Sequence, residues 1–279
     1  MLRACRLCPR ECGVDRLGGE RGYCEAGALA RVATAGPHFG EESVLAGTGG
    51  SGTVFFSHCS LGCLFCQNYD ISREGHGQDV TADELAASML RLQRMGCHNV
   101  NLVTPTHFVP QILEAVAIAA QQGLALPLVY NCGGYEALAT LTLLDGVIDI
   151  YMPDAKFARR ATAQRYANAP DYPERCAPAL REMHRQVGDL VVGSDGLARR
   201  GLLVRHLVMP GGVEEAAEVM QLLASISPAT RVNVMGQYRP CYRAGEQPEI
   251  ARRTNPGECA AAIRAARALG LVCLSPNYN

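Results

Sequence analysis

The chain has 279 residues and a formal net charge of −1, with 48% hydrophobic and 19% charged residues. This ordinary globular composition supplies enough apolar material for a large core. It gives no basic surface for nucleic acid and no apolar run long enough to span a bilayer, so neither partner is expected. The first residues, Met1-Leu2-Arg3-Ala4-Cys5-Arg6, contain no apolar signal region, and the chain holds 13 cysteines. Together these point to a reducing, cytoplasmic setting, where cysteines bind metal more often than they form disulfides.

Residues 1–50 are rich in glycine and cysteine, with little periodicity, and read as a small metal-binding segment. From residue 51 to 279 the pattern becomes strand, loop and helix, repeated. Gly47-Thr48-Gly49-Gly50-Ser51-Gly52 precedes a strand, whereas phosphate-binding loops follow one, so it reads as a flexible lead-in. Thr53–Ser57 is a short apolar strand, and a Thr81/Glu84 capping box opens a helix over Asp83–Met95. Strands follow at Val100–Val103, Leu128–Asn131, Val147–Met152, Leu202–Met209 and Val232–Met235. Helices are predicted at Val109–Gln122, Glu136–Leu144, Glu214–Ser225 and Glu258–Leu269, with a proline-interrupted helical stretch before Val187. Six β-then-α units imply a parallel α/β architecture. A barrel and a doubly wound open sheet both satisfy that pattern.

In β/α barrels the chemistry sits in loops after the C-terminal ends of strands. The first such loop is Phe55-Phe56-Ser57-His58-Cys59-Ser60-Leu61-Gly62-Cys63-Leu64-Phe65-Cys66-Gln67-Asn68. Cys59, Cys63 and Cys66 follow a C-x3-C-x2-C spacing. Three thiolates this close can share an iron–sulfur cluster, one short of the usual four ligands. One iron then stays open to a small molecule. A zinc site with His58 as fourth ligand, or three ordinary buried cysteines, are the blander readings.

This segment resembles the cluster loop of the radical S-adenosylmethionine (radical SAM) enzymes. The resemblance implies a [4Fe–4S] cluster on Cys59, Cys63 and Cys66, with S-adenosylmethionine on the open iron and Phe65 beside it. It also implies reductive cleavage to a 5′-deoxyadenosyl radical, hydrogen abstraction from a substrate, and a partial (β/α)6 barrel. An electron donor such as flavodoxin or ferredoxin is then required.

The remaining strand ends fit this scheme. Thr104-Pro105-Thr106-His107 stands where related activating enzymes carry Gly-Gly-Glu; its hydroxyls can substitute, and His107 is a candidate acid–base group. Asn131 at the third strand tip can reach a ribose hydroxyl, while Gly133 and Gly134 allow close backbone approach or simply turn the chain. Asp154 and Lys156 alternate and so face one side; they match the polar positions of an Asp-Leu-Lys in related activases. Of Arg205 and His206, one must face the barrel interior; Arg205 is the candidate SAM contact. Gln237, Tyr238 and Arg239 are candidates for the substrate opening.

Five segments, Pro37–Glu42, Thr104–Gln111, Tyr151–Lys156, Arg205–Gly211 and Gln237–Pro240, resemble one subfamily, the homologues of the pyruvate formate-lyase activating enzyme. That implies an activase that places a glycyl radical on a partner enzyme, or a radical SAM enzyme that modifies a peptide or small molecule. A different class, a redox-sensing iron–sulfur or zinc protein without catalysis, is the remaining alternative. Cys5, Cys8, Cys12 and Cys24 form a second constellation, whose four thiols suit either zinc or an auxiliary [4Fe–4S] cluster.

Overall fold

The computed structural model describes residues 1–274. Its strands are β1 (Ala30–His38), β2 (Ser51–Phe56), β3 (Gln78–Val80), β4 (Val100–Val103), β5 (Leu128–Cys132), β6 (Ile150–Pro153), β7 (Val191–Val192), β8 (Ala198–Leu207), β9 (Arg231–Met235) and β10 (Val272–Cys273). They form one sheet in the order β10-β9-β8-β6-β5-β4-β2-β1-β3, with β7 against β8. From β2 to β10 every pairing along that path is parallel; β1, β3 and β7 pair antiparallel.

The parallel strands keep their chain order. A doubly wound sheet must reverse its strand order at a switch point, and this one does not. The fold is therefore the α/β partial barrel, with the loops after β2, β4, β5, β6, β8 and β9 gathered at one end.

The helices are α1 (Ser43–Ala46), α2 (Tyr69–Ser72), α3 (Ala82–Arg94), α4 (Val109–Gln121), α5 (Leu138–Thr142), α6 (Arg160–Ala167), α7 (Tyr172–Val187), α8 (Val213–Ile226) and α9 (Pro256–Ala268). The expected Thr81/Glu84 capping box opens α3, and Asn255 with Glu258 builds another at α9. Helix α3 buries Leu85, Met89, Leu90 and Leu92, and each such side chain contributes about 1.5–3 kcal/mol.

Three expectations need correcting. The stretch without periodicity before residue 50 contains β1, whose Ala, Gly and Pro residues carry little strand propensity. It is held instead by pairing with β2 on one side and β3 on the other. The helix expected over Glu136–Leu144 shrinks to Leu138–Thr142, because the Glu136 carboxylate turns inward to Thr106 and Tyr130. The glycine run before β2 is packed: a Cβ on Gly49 would lie 2.2 Å from the Gly96 carbonyl oxygen, and one on Gly52 2.6 Å from that of Asn99.

Candidate functional site

Cys59, Cys63 and Cys66 line one cavity of about 260 Å³ at the C-terminal ends of the strands, together with Phe65, Asn131, Asp154, Lys156 and Arg205. The loop that presents the cysteines is anchored on both sides. His58 N donates to Ile71 O (2.8 Å), Gly62 N to Ala167 O (3.0 Å) and Leu64 N to Tyr166 O (2.8 Å). Phe65 is buried, with its ring against Phe157 and Tyr238. Burial pushes the Cys59 thiol up to about 11 and that of Cys63 up to about 12, while the Lys156 ammonium pulls the other way.

The polar wall is one network. Lys156 Nζ lies 2.6 Å from Asp154 Oδ2. Arg205 Nε donates to Asp154 Oδ1 (2.9 Å), Nη2 to Asn131 Oδ1 (2.7 Å) and Nη1 to Glu41 Oε1 (3.2 Å). Burial alone would raise the Asp154 carboxyl, but Arg205 and Lys156 overcome it and hold the group down at about 2. Asp154 therefore stays ionised as the bridge between the two cations.

Of the Arg205/His206 pair, Arg205 takes the inside. His206 is buried behind it, with Nδ1 2.7 Å from Ala155 O. His58 has φ +71° and packs on Gly75; it does not line the cysteine cavity. The donor set facing the cavity is thus three soft thiols without a fourth protein ligand, which fits an iron–sulfur cluster with one open iron better than tetrahedral zinc. Among the described residues no three Cys, His, Asp or Glu side chains converge closely enough to chelate a single ion.

The threonine loop divides. Thr104 lines the cavity with φ +61°, a strained conformation for a β-branched residue. Thr106 is buried and donates to Glu136 Oε1 (2.7 Å), so its hydroxyl is taken. His107 lies under the cysteine loop, lining neither this cavity nor the one adjoining it. Its Nε2 is 2.9 Å from Ser57 O, and burial holds its pKa down at about 3. It is a neutral clamp there, out of reach of the thiols' cavity. Gly134 is required by packing, since a Cβ there would lie 2.3 Å from Asp154 O, whereas Gly133 lines the cavity, with a Cβ 2.9 Å from the Leu61 side chain. Gln237 lines the cavity, whereas the Tyr238 hydroxyl donates inward to Ile250 O.

Sequence reasoning included Glu41 and Glu42 only in the Pro37–Glu42 resemblance and gave them no role in the site. They lie in the loop between β1 and α1 and reach into the barrel, where they line a second cavity of about 460 Å³. Asn131, Arg205 and Gln237 belong to both cavities. The signal of Glu41 and Glu42 was their place in a segment that carries the family resemblance, next to no strand end that periodicity could locate.

Cys5, Cys8 and Cys24 are buried and Cys12 is exposed. Four thiols suit zinc or a cluster in kind, but in this packing they are not drawn into a chelating group. None of the 13 cysteines forms a disulfide. The segment carrying them docks on the barrel. Arg10 Nε donates to Ser60 O (2.9 Å) in the cysteine loop, and the buried Arg16 donates to Gly27 O and His107 O.

A profile of the radical SAM superfamily matches residues 53–236, and the chain belongs to that superfamily, whose members use S-adenosylmethionine and a [4Fe–4S] cluster. It is 30% identical, over 97% of its length and 76% of the relative's, to the uncharacterized protein MJ0674 of Methanocaldococcus jannaschii. Its fold is similar to that of Streptococcus suis SuiB bound to the precursor peptide SuiA (TM-score 0.53, 10% identity, 79% of this chain and 47% of that one). It is also similar to the FeFe-hydrogenase maturase HydG of Carboxydothermus hydrogenoformans (TM-score 0.51, 11% identity, 80% and 52%). The chain spans about half the length of these solved structures.

Proposed function

We propose that this chain is a radical SAM enzyme in which Cys59, Cys63 and Cys66 hold the [4Fe–4S] cluster and Asn131, Asp154, Lys156 and Arg205 hold S-adenosylmethionine. One observation carries the reading: all seven residues, from four different strand ends, line a single cavity. When bound, the cluster and S-adenosylmethionine supply a 5′-deoxyadenosyl radical that takes a hydrogen atom from the substrate. The residues do the positioning. Lys156 and Arg205 offer cationic donors to a carboxylate, Asp154 offers acceptors to ribose hydroxyls, and Asn131 offers an amide that Arg205 fixes in orientation. Phe65 gives the cofactor an apolar flank. The electron comes from a flavodoxin or ferredoxin in the cytoplasm.

Kinship with the pyruvate formate-lyase activating enzyme remains part of this proposal, with a glycyl radical enzyme as one partner. Modification of a peptide side chain or small molecule is the reading that the second cavity favours. A glycine presents no side chain to a pocket floored by Glu41 and Glu42.

The test is anaerobic reconstitution with iron and sulfide, then S-adenosylmethionine and dithionite, with 5′-deoxyadenosine as readout. The Cys59→Ala, Cys63→Ala, Cys66→Ala variant runs alongside. Product in the wild type alone is expected. Equal yields, or none from a wild type with full iron content, reject the reading in favour of a redox-binding protein.

A further inference from the structure

The second cavity opens directly onto the first. Phe55, Gln67, Asn131, Arg205 and Gln237 line both, so a group placed in the second lies next to whatever the thiols hold. Its volume, about 460 Å³, falls in the range of small-molecule sites.

Its wall is acidic where it is most buried. Glu41 accepts from Asn101 Nδ2 (2.7 Å) and Arg205 Nη1 (3.2 Å). Glu42 accepts on Oε1 from Asn233 Nδ2 (2.9 Å). Its other oxygen, Oε2, is buried and receives no hydrogen bond among the described residues, although the side chain is only 7% exposed. A buried carboxylate oxygen without a donor costs about 1–3 kcal/mol or more.

The charges do not balance either. Glu41, Glu42 and Asp154 are three carboxyl groups; Arg205 and Lys156 are two cations. Lys156 is committed to Asp154, and Arg205 is divided between Asp154 and Glu41. Among the described residues Glu42 has no ion pair of its own. The Glu41 and Glu42 carboxyl groups lie within hydrogen-bonding reach of each other, an arrangement that needs a proton between them. Burial, only partly offset by Arg205, raises Glu41 so that it supplies this proton near neutral pH.

We propose that Glu41 and Glu42 form the substrate subsite of this enzyme and take a cationic group, an ammonium or guanidinium, in place of the shared proton. The proposal rests on the radical SAM reading of the adjoining cavity. An ammonium there gains Glu42 Oε2 as an acceptor and brings the positive charge that the shared proton otherwise supplies. An anion meets two carboxyl groups, and the Arg205 guanidinium already gives one N–H each to Asp154, Asn131 and Glu41. The cation can belong to a free amine or to a lysine or arginine of a peptide.

The experiment is calorimetric titration of the reconstituted protein with n-butylammonium, 1-butanol and butyrate, with N-acetyl-lysine methylamide as the peptide arm. Butylammonium is expected to bind at least about tenfold tighter than the alcohol, because a cation can replace the shared proton between two buried carboxyl groups and a neutral hydroxyl cannot, and butyrate more weakly than either. Glu42→Gln, which keeps the acceptor for Asn233 and removes the charge, is expected to abolish that preference. Binding of the capped lysine identifies a peptide source; its exclusion while butylammonium binds identifies a free amine. Equal affinity for ammonium and alcohol, or tighter binding of butyrate, overturns the proposal. The wild-type comparison decides this even where the variant folds poorly. Failure here with deoxyadenosine still formed rejects the subsite alone; absent deoxyadenosine rejects the reading beneath it.

Discussion

Tyr172 lines neither cavity, yet three backbone groups of the site meet at its hydroxyl. Its single O–H lies between Asp154 O (2.7 Å) and Gly133 O (2.9 Å), which share it, and its oxygen accepts from Lys156 N (2.9 Å). Through that one atom the loop after β5 is tied to the loop after β6, and Asp154 and Lys156 acquire a fixed backbone. Replacing it by phenylalanine keeps the ring contacts with Tyr135 and Phe157 and leaves those groups unpaired in a buried place. The expected cost is about 1–3 kcal/mol, read as a lower urea midpoint. Tyr172→Phe should also raise KM for S-adenosylmethionine more than it lowers kcat, because it positions contact residues without touching the reacting atoms. An unchanged KM beside a lowered midpoint would make Tyr172 purely structural. A residue of this kind is invisible in sequence, since nothing near Tyr172 indicates that its hydroxyl spans 16 residues back to Lys156.

At the scale of elements, β4, β5 and β6 were readable because each is a short, mostly apolar run buried on both faces, as parallel strands are. Polar residues at or just past the C-terminal ends of such runs are conspicuous, which is why Asn131, Asp154, Lys156 and Arg205 stood out. Glu136 did not, for it begins what reads as a helix face. In the fold it is buried between Thr106 and Tyr130, joining the ends of β4 and β5, and burial raises its carboxyl to about 7. The unfolded chain ionises Glu136 near its ordinary 4.5, whereas the folded chain keeps the proton until about 7. Stability from this group is therefore full below pH 4.5 and is lost as pH rises to about 7, then stays level. Glu136→Gln stays neutral throughout, and the flanking hydroxyls can accept as well as donate. The variant should gain on the wild type across that window by something on the order of 3 kcal/mol, measured as the difference in urea midpoints at pH 4.5 and pH 8. A constant difference across the range would mean that Glu136 is ionised in the folded protein.

For the molecule as a whole, the question is what attaches the first 28 residues. They bury few apolar side chains of their own, chiefly Cys5, Leu7, Cys8, Cys24 and Ala26. A segment that small does not hold itself together by burial. The attachments are polar and reach the barrel at separate points. Gln111 Nε2 donates to Ala28 O (2.5 Å) and Arg10 Nε to Ser60 O (2.9 Å). Arg16 is only 2% exposed, has no carboxylate partner among the described residues, and gives its guanidinium to Gly27 O (2.7 Å) and His107 O (2.6 Å). The bond to Gly27 braces the segment internally and the bond to His107 ties it to the barrel; hydrogen bonds from a charged donor are worth about 1.5–3 kcal/mol each, so Arg16 both shapes and anchors the segment. Arg16→Ala should release the segment while the barrel stays folded: limited proteolysis would cut within residues 1–28 and leave a resistant remainder. Because Arg10 braces Ser60 in the cysteine loop, release should also lower the iron retained at Cys59, Cys63 and Cys66. Undiminished resistance in Arg16→Ala would point to a metal on Cys5, Cys8, Cys12 and Cys24 as the clip. Stripping that metal with a chelator would then have to restore cleavage.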